Sequence, residues 1–138
     1  SSTSLKKQKL EGVESFIQKV IDDAVNCIRK ESRYGDFLNS CVLSGLDNVK
    51  GNRATILLSD EDLRYSGSIN DAINRKGYTL VTCISTDDRV KSGGAMVIDD
   101  EAEVIYNNTV ERIVYRKKEE IRRVIVRSLK EPGECGEG

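Results

Sequence analysis

Apolar residues at Leu10, Val13, Ile17, Val20, Ala24 and Cys27 follow a strict alternation of threes and fours. That spacing lays them along one narrow stripe of a helix, the seam of a two-helix coiled coil. The pattern predicts a long helix over residues 5–31. Phe16, Ile21, Val25 and Ile28 widen the stripe toward its C-terminal half, where the helix is expected to lie on a core. Because the seam is already running at Leu10, the native helix is expected to continue upstream. A shorter helix is predicted from Tyr34 to Leu46, with Phe37, Leu38, Cys41 and Val42 turned inward. The turn-rich stretch from Leu46 to Asn52 leads to Ala54–Leu58, a compact β-branched and apolar run that reads as a buried strand.

Ser59 is placed to cap a following helix, with Asp60, Glu61 and Asp62 in the first turn where the helix dipole favours anions. Ser66-Gly67-Ser68 interrupts that helix, and Ser68 with Asp71 offers a capping box for its restart. Ile69, Ala72 and Ile73 face inward, and Gly77 ends the element. Thr79–Ile84 alternates as a strand. Gly93-Gly94 opens another over Ala95–Ile98, and Asp99–Ala102 turns the chain into a return strand over Glu103–Tyr106. Asn108 or Thr109 caps a final helix to about Leu129, with Glu111 completing a capping box from Asn108. Its apolar stripe is Val110, Ile113, Val114, Ile121, Val124 and Ile125. Pro132 is expected to stop it.

The expected fold is therefore α+β. A long N-terminal helix leads into a small, mostly antiparallel sheet of about four strands packed with helices, and a C-terminal helix closes the chain. Residues 1–32 read as the end of a long helix with coiled-coil character, 33–131 as a globular docking domain, and 132–138 as a flexible tail.

Composition narrows what such a domain can do. The 138 residues are 38% hydrophobic, enough for one core. They are 33% charged, above the roughly 25% of an average soluble domain, so the excess belongs on solvated faces. The net charge of −1 gives no overall field for nucleic acid. The last helix is basic, with eight Lys or Arg against four Glu over 109–131, but Tyr115 is its one aromatic; no nucleic-acid partner is expected. No apolar run reaches the roughly 18 residues of a membrane span. The chain has no histidine, which removes Ser-His and Cys-His catalysis and His-ligated metals. Cys27, Cys41, Cys83 and Cys135 form no CxxC pair and read as thiols of a reducing compartment. The acidic clusters at 60–62, 87–88 and 99–101 lack the EF-hand spacing and are read as helix-capping and turn residues, so no metal is expected. Ser92-Gly93-Gly94 is followed by a strand rather than a helix, which argues for a close turn over a phosphate loop. No cofactor is expected.

From Gly93-Gly94-Ala95-Met96-Val97 through Asn107-Asn108-Thr109-Val110-Glu111-Arg112-Ile113, the chain resembles the C-terminal domain of the E subunit of the V-type and archaeal-type rotary ATPases. The double glycine leads into a short strand and hairpin, and a polar cap opens the last helix. Glu120-Ile121-Arg122 resembles the family's segment near the end of that helix. Tyr34-Gly35-Asp36-Phe37-Leu38 resembles its Tyr-x-x-x-Leu, and Ala54–Asp62 its strand running into an acidic-capped helix. The likeness spans roughly 5–130. Departures are Glu101-Ala102 where a turn glycine is common, Asn107 where Asp is common, Glu119 in place of a proline, and Ser128-Leu129-Lys130 in place of Leu-Phe. The resemblance implies a non-catalytic, cytoplasmic component of a peripheral stalk (a stator), attached to a membrane complex without entering the bilayer. It implies pairing with a helix like that of the family's G subunit, to which the Leu10, Val13, Ile17 and Val20 seam would contribute. It also implies a grip on the N-terminal β-barrel of the non-catalytic B subunit. Three other readings compete: a stator-like component of a flagellar or type III export ATPase, a small carboxylate- or metal-dependent enzyme using Asp60, Asp62, Asp87 or Asp88, and, least favoured, a nucleic-acid module using the last helix.

Overall fold

The computed structural model describes the backbone over residues 2–137 and the side chains over 11–130. Helix α1 spans Ser2–Cys27 and tightens into a 3-10 turn at Ile28–Lys30. Then come α2 (Tyr34–Leu46), β1 (Arg53–Leu58), a 3-10 helix at Asp60–Tyr65, and α3 (Ser66–Lys76). Strand β2 (Val81–Thr86), a 3-10 turn at Asp88–Val90, β3 (Gly94–Asp99), β4 (Val104–Thr109) and α4 (Val110–Glu137) complete the chain. The fold is α+β, in the element order the periodicities predict.

The four strands lie in the order β2-β1-β3-β4. β1 and β2 run parallel, joined by α3 as the crossover, while β3 is antiparallel to both β1 and β4. Helices α2 and α3 supply the layer over one face. Leu38, Val42, Leu46, Ile56, Leu58, Ile69, Ile73, Ala95 and Val97 form the core there. Gly45 sets the distance between α2 and β3: a Cβ on it would stand 2.5 Å from Val97 Cγ2, so nothing larger than hydrogen fits. Leu57, Val90 and Met96 form a smaller cluster on the other face, with Ile98 against it.

Packing divides the chain into two units. Val25–Ile113 is one; Ser1–Ala24 with Val114–Gly138 is the other. The compact unit thus starts before residue 33 and ends before residue 131, because the outer part of α4 associates with α1. In that helical unit Val13, Ile17 and Ile21 are buried, and the neighbouring Glu14 pairs with Arg122 (2.9 Å) and Lys118 (3.5 Å) of α4.

Local outcomes differ from the pattern in several places. Strand β2 begins at Val81 because its register is fixed by Arg53↔Val81 and Leu58↔Thr86 on β1. The acidic stretch after Ser59 winds as a 3-10 helix, and α3 starts at Ser66 with no side-chain cap, Ser68 Oγ accepting from Asn39 Nδ2 instead. The hairpin turn takes its left-handed residue at Glu103 (φ 56°), beyond the Glu101-Ala102 pair. Helix α4 continues through Pro132 to Glu137, where a stop and a flexible tail are expected from sequence. A proline withholds one N–H from the carbonyl four residues back, here that of Ser128, and the bonds on either side can carry the helix on.

Candidate functional site

Three residues singled out along the chain, Tyr34, Asp62 and Gly94, meet at one buried polar joint. Tyr34, at the start of α2, is 1% exposed, and its hydroxyl donates to Asp62 Oδ2 at 2.6 Å. The same hydroxyl oxygen accepts from the backbone N–H of Gly94 at 3.1 Å. Arg29 reaches the other carboxylate oxygen of Asp62 through Nε (3.2 Å) and donates to Ser59 Oγ through Nη2 (2.8 Å). Four segments are thereby tied together: the 3-10 turn that follows α1, the start of α2, the 3-10 helix after β1, and the start of β3. Asp62 is fully buried. It is therefore unlike Asp60 and Glu61, with which the sequence groups it as a solvated cluster: a carboxylate leaves water only when charge and hydrogen bonds replace its hydration.

The double glycine is the other half of the joint. Gly93 and Gly94 both have positive φ, 102° and 75°, a conformation that side chains make costly. Space forbids side chains too. A Cβ on Gly93 would lie 2.9 Å from the Tyr34 hydroxyl, and one on Gly94 would lie 2.4 Å from the Asn108 carbonyl oxygen. Gly94 stands opposite Thr109 in the β3–β4 ladder, and the Gly93 carbonyl accepts from the Val110 N–H, the first of α4. The close turn expected of these glycines is what the chain builds, between the Tyr34 phenol and the root of the last helix.

That root is capped by Thr109, whose Oγ1 accepts from the Arg112 N–H at 3.2 Å. Asn107 Oδ1 accepts from both the N–H and the hydroxyl of Thr109. The capping box expected between Asn108 and Glu111 does not form. Asn108 lies in β4, and its Nδ2 donates to the Cys41 carbonyl at 3.0 Å, tying the strand to α2. Glu111 therefore falls one position short of the third helical residue that such a box requires, though it still serves the dipole in the first turn.

Electrostatically the joint is locked. Burial, then the bond to Asp62, push the Tyr34 phenol well above its ordinary pKa, so it remains a donor. Burial works against the Arg29 charge, but the hydrogen bond and field of Asp62 overcome it, and the guanidinium is a fixed cation. Burial pushes the Cys41 thiol up to about 12, which leaves it unreactive near neutrality. Among the described residues, no group of three or more Cys, Asp or Glu converges to hold a metal. Asp87 caps the turn after β2 and is bonded by Arg89. Asp62 is consumed by Arg29 and Tyr34. Asp60 opens the 3-10 helix that holds Asp62, and Asp88 opens the 3-10 turn that Asp87 caps.

Of the predicted seam, Val13 and Ile17 are buried within the chain, while Val20 is 39% exposed and Phe16 beside it 55% exposed. The side chain of Leu10 lies outside the described residues. The buried stripe runs Val13, Ile17, Ile21, at steps of four, and so drifts away from Val20, Ala24 and Cys27. On α4, Tyr115, Val124 and Leu129 are exposed; Val124 belongs to the stripe expected to face inward, and Ile125 and Val126 are the half-buried pair at that level.

Arg29 escapes the sequence reading. Its one signal is position, directly after Ile28 at the edge of the apolar stripe, where a long side chain can turn back into the domain.

No family model matches the chain. It is similar to proteins named as the E subunit of V-type ATP synthases. The one from Clostridium botulinum strain Hall is 30% identical over 137 residues, covering 94% of this chain and 67% of that protein. A protein from Halothermothrix orenii, named as the E subunit of a V-type proton ATPase, is 26% identical over 116 residues, covering 84% of this chain and 57% of that protein.

Proposed function

This chain belongs to the E subunit family of V-type ATP synthases, and on that premise we propose that it acts in a peripheral stalk, holding the catalytic head static against rotor torque. No helix among the described residues is long and apolar enough to cross a membrane. The chain would then join the membrane complex from its periphery. The observation that carries the reading is the joint itself. The residues that set this chain apart as a sequence, Tyr34, Gly93, Gly94, Asn108 and Thr109, serve to cross-brace helices to sheet. A stator needs that property: load entering through a helix must reach the domain without melting a local element. On this reading, the compact unit grips the N-terminal β-barrel of the non-catalytic B subunit, and the α1–α4 unit pairs with a G-like helix.

Val20 of the α1 seam and Phe16 beside it are exposed and would meet such a helix. Burying two side chains of this size is worth roughly 1.5–3 kcal/mol each. Co-expression of the chain with the G-like partner of its own ATPase should therefore give a complex that Phe16→Glu with Val20→Glu weakens at least about tenfold, while the variant keeps the wild-type circular dichroism. Equal binding by the double variant would remove this face from the proposal.

A further inference from the structure

The wall of the compact unit beside the joint holds a cleft of about 370 Å³, lined by Val25, Asn26, Arg29, Lys30, Glu61, Arg64, Lys91 and Ser92. Its size lies within the range of small-ligand sites. Its charge is uneven. Arg29 is matched by the buried Asp62 and also lies 3.4 Å from Glu61. Arg64 stacks over the ring of Tyr65, 5.0 Å from its centroid, and donates to the Tyr65 hydroxyl, neither of which neutralises it. Among the described residues, no carboxylate forms an ion pair with Lys30, Arg64 or Lys91. Three cations from three segments thus face one carboxylate, a local excess of two positive charges on a chain whose net charge is −1.

A second, independent feature lies in the same wall. Ser92 is 8% exposed, and its hydroxyl has no hydrogen-bond partner among the described residues. A buried hydroxyl without a partner costs free energy and calls for a ligand or water to satisfy it. Ser92 also precedes the two glycines whose positive φ fixes the path of this loop, so its position is set by the fold.

We propose that this cleft is a binding site for a dianionic oxyanion of the phosphate class. Lys30, Arg64 and Lys91 supply the charge, and Ser92 supplies a neutral donor. The doubly charged excess matches a dianion better than a single carboxylate, and cations converging from separate segments form a pocket rather than a stripe. Glu61 opposes the ligand and sets the affinity in the weak range. The site does not depend on the stalk reading and would stand on the compact unit whatever complex the chain joins.

Titration of the whole chain with inorganic phosphate, followed by calorimetry at low ionic strength, tests it. The expected result is saturable one-to-one binding that weakens about threefold to tenfold in Lys91→Ala and in Arg64→Ala, tightens in Glu61→Gln, and fades as salt is raised. These side chains lie on the surface, and circular dichroism confirms that the variants are folded. A parallel titration with ADP separates two sources of the same chemistry. Tighter binding of ADP assigns the site to the phosphates of a nucleotide; equal or weaker binding assigns it to the free anion. Absence of saturation by both ligands, or phosphate binding that is unchanged in Lys91→Ala and in Glu61→Gln, overturns the proposal.

Discussion

A single carboxylate decides how the domain is held together. Asp62 receives Arg29 and Tyr34 at once while wholly buried. Removing one partner of such a pair strands the others, which is far costlier than never having built it. Asp62→Ala should destabilise the chain by roughly 3 kcal/mol or more, and Tyr34→Phe by about 1–3 kcal/mol, in urea unfolding. A loss under about 0.5 kcal/mol for Asp62→Ala would mean that water or a rearranged Arg29 replaces the bond. Asp99 plays a similar part at the hairpin. Its carboxylate accepts from the N–H groups of Ala102, Lys50 and Gly51, and these bonds hold its pKa below the usual carboxylate range. A group whose folded pKa is depressed gives stability that is present above its unfolded pKa and lost as pH falls through the folded one. The melting temperature should therefore fall as pH is lowered below about 4, the ordinary aspartate value, and Asp99→Asn should flatten that acid limb. An unchanged limb in the variant would place the acid sensitivity elsewhere. Neither role could be read from sequence. Asp60, Glu61 and Asp62 look alike as a run of acids, and Arg29 lies 33 residues from its partner. No periodicity marks such a pair.

Elements were far more legible, because their signals are local. The boundaries of α2 match the pattern to the residue, and the order of strands and helices follows from where period 3.6 gives way to period 2. What periodicity could not decide was which of two nearby stripes a long helix would bury. Leu10 to Cys27 keeps strict heptad spacing, yet α1 buries Val13, Ile17 and Ile21. The straight helix advances 3.6 residues per turn, so a real contact drifts off a 3.5-residue seam. The Gly93-Gly94 joint was legible as a close turn, while its reason, the approach of the Tyr34 phenol and the Asn108 carbonyl, required the fold. The same holds for Gly45, which lies inside the helix predicted over Tyr34–Leu46 and whose close approach to Val97 only the fold reveals. Gly45→Ala should cost about 1–3 kcal/mol by overpacking against Val97. Pairing it with Val97→Ala should recover part of that loss, so the double-mutant cycle should show a coupling of at least about 0.5 kcal/mol. Strict additivity would show that α2 simply shifts away from β3.

At the scale of the whole molecule, membership of the E subunit family and the braced joint point the same way. The α1–α4 unit leaves Phe16, Val20, Tyr115, Val124 and Leu129 at the surface, and apolar side chains at that density on a helix pair invite a further polypeptide. Within the compact unit, the 3-10 turn at Ile28–Lys30, the start of α2, the 3-10 helix after β1 and the start of β3 are braced at one joint. The most direct test is purification of the tagged, full-length protein from its own cells with quantitative mass spectrometry of what accompanies it. The account predicts stoichiometric recovery of the catalytic, B-like and G-like subunits of a V-type ATPase. Their absence, from an extract in which that ATPase is shown to be intact, would contradict the stator role and leave the likeness to the E subunit as one of fold and ancestry.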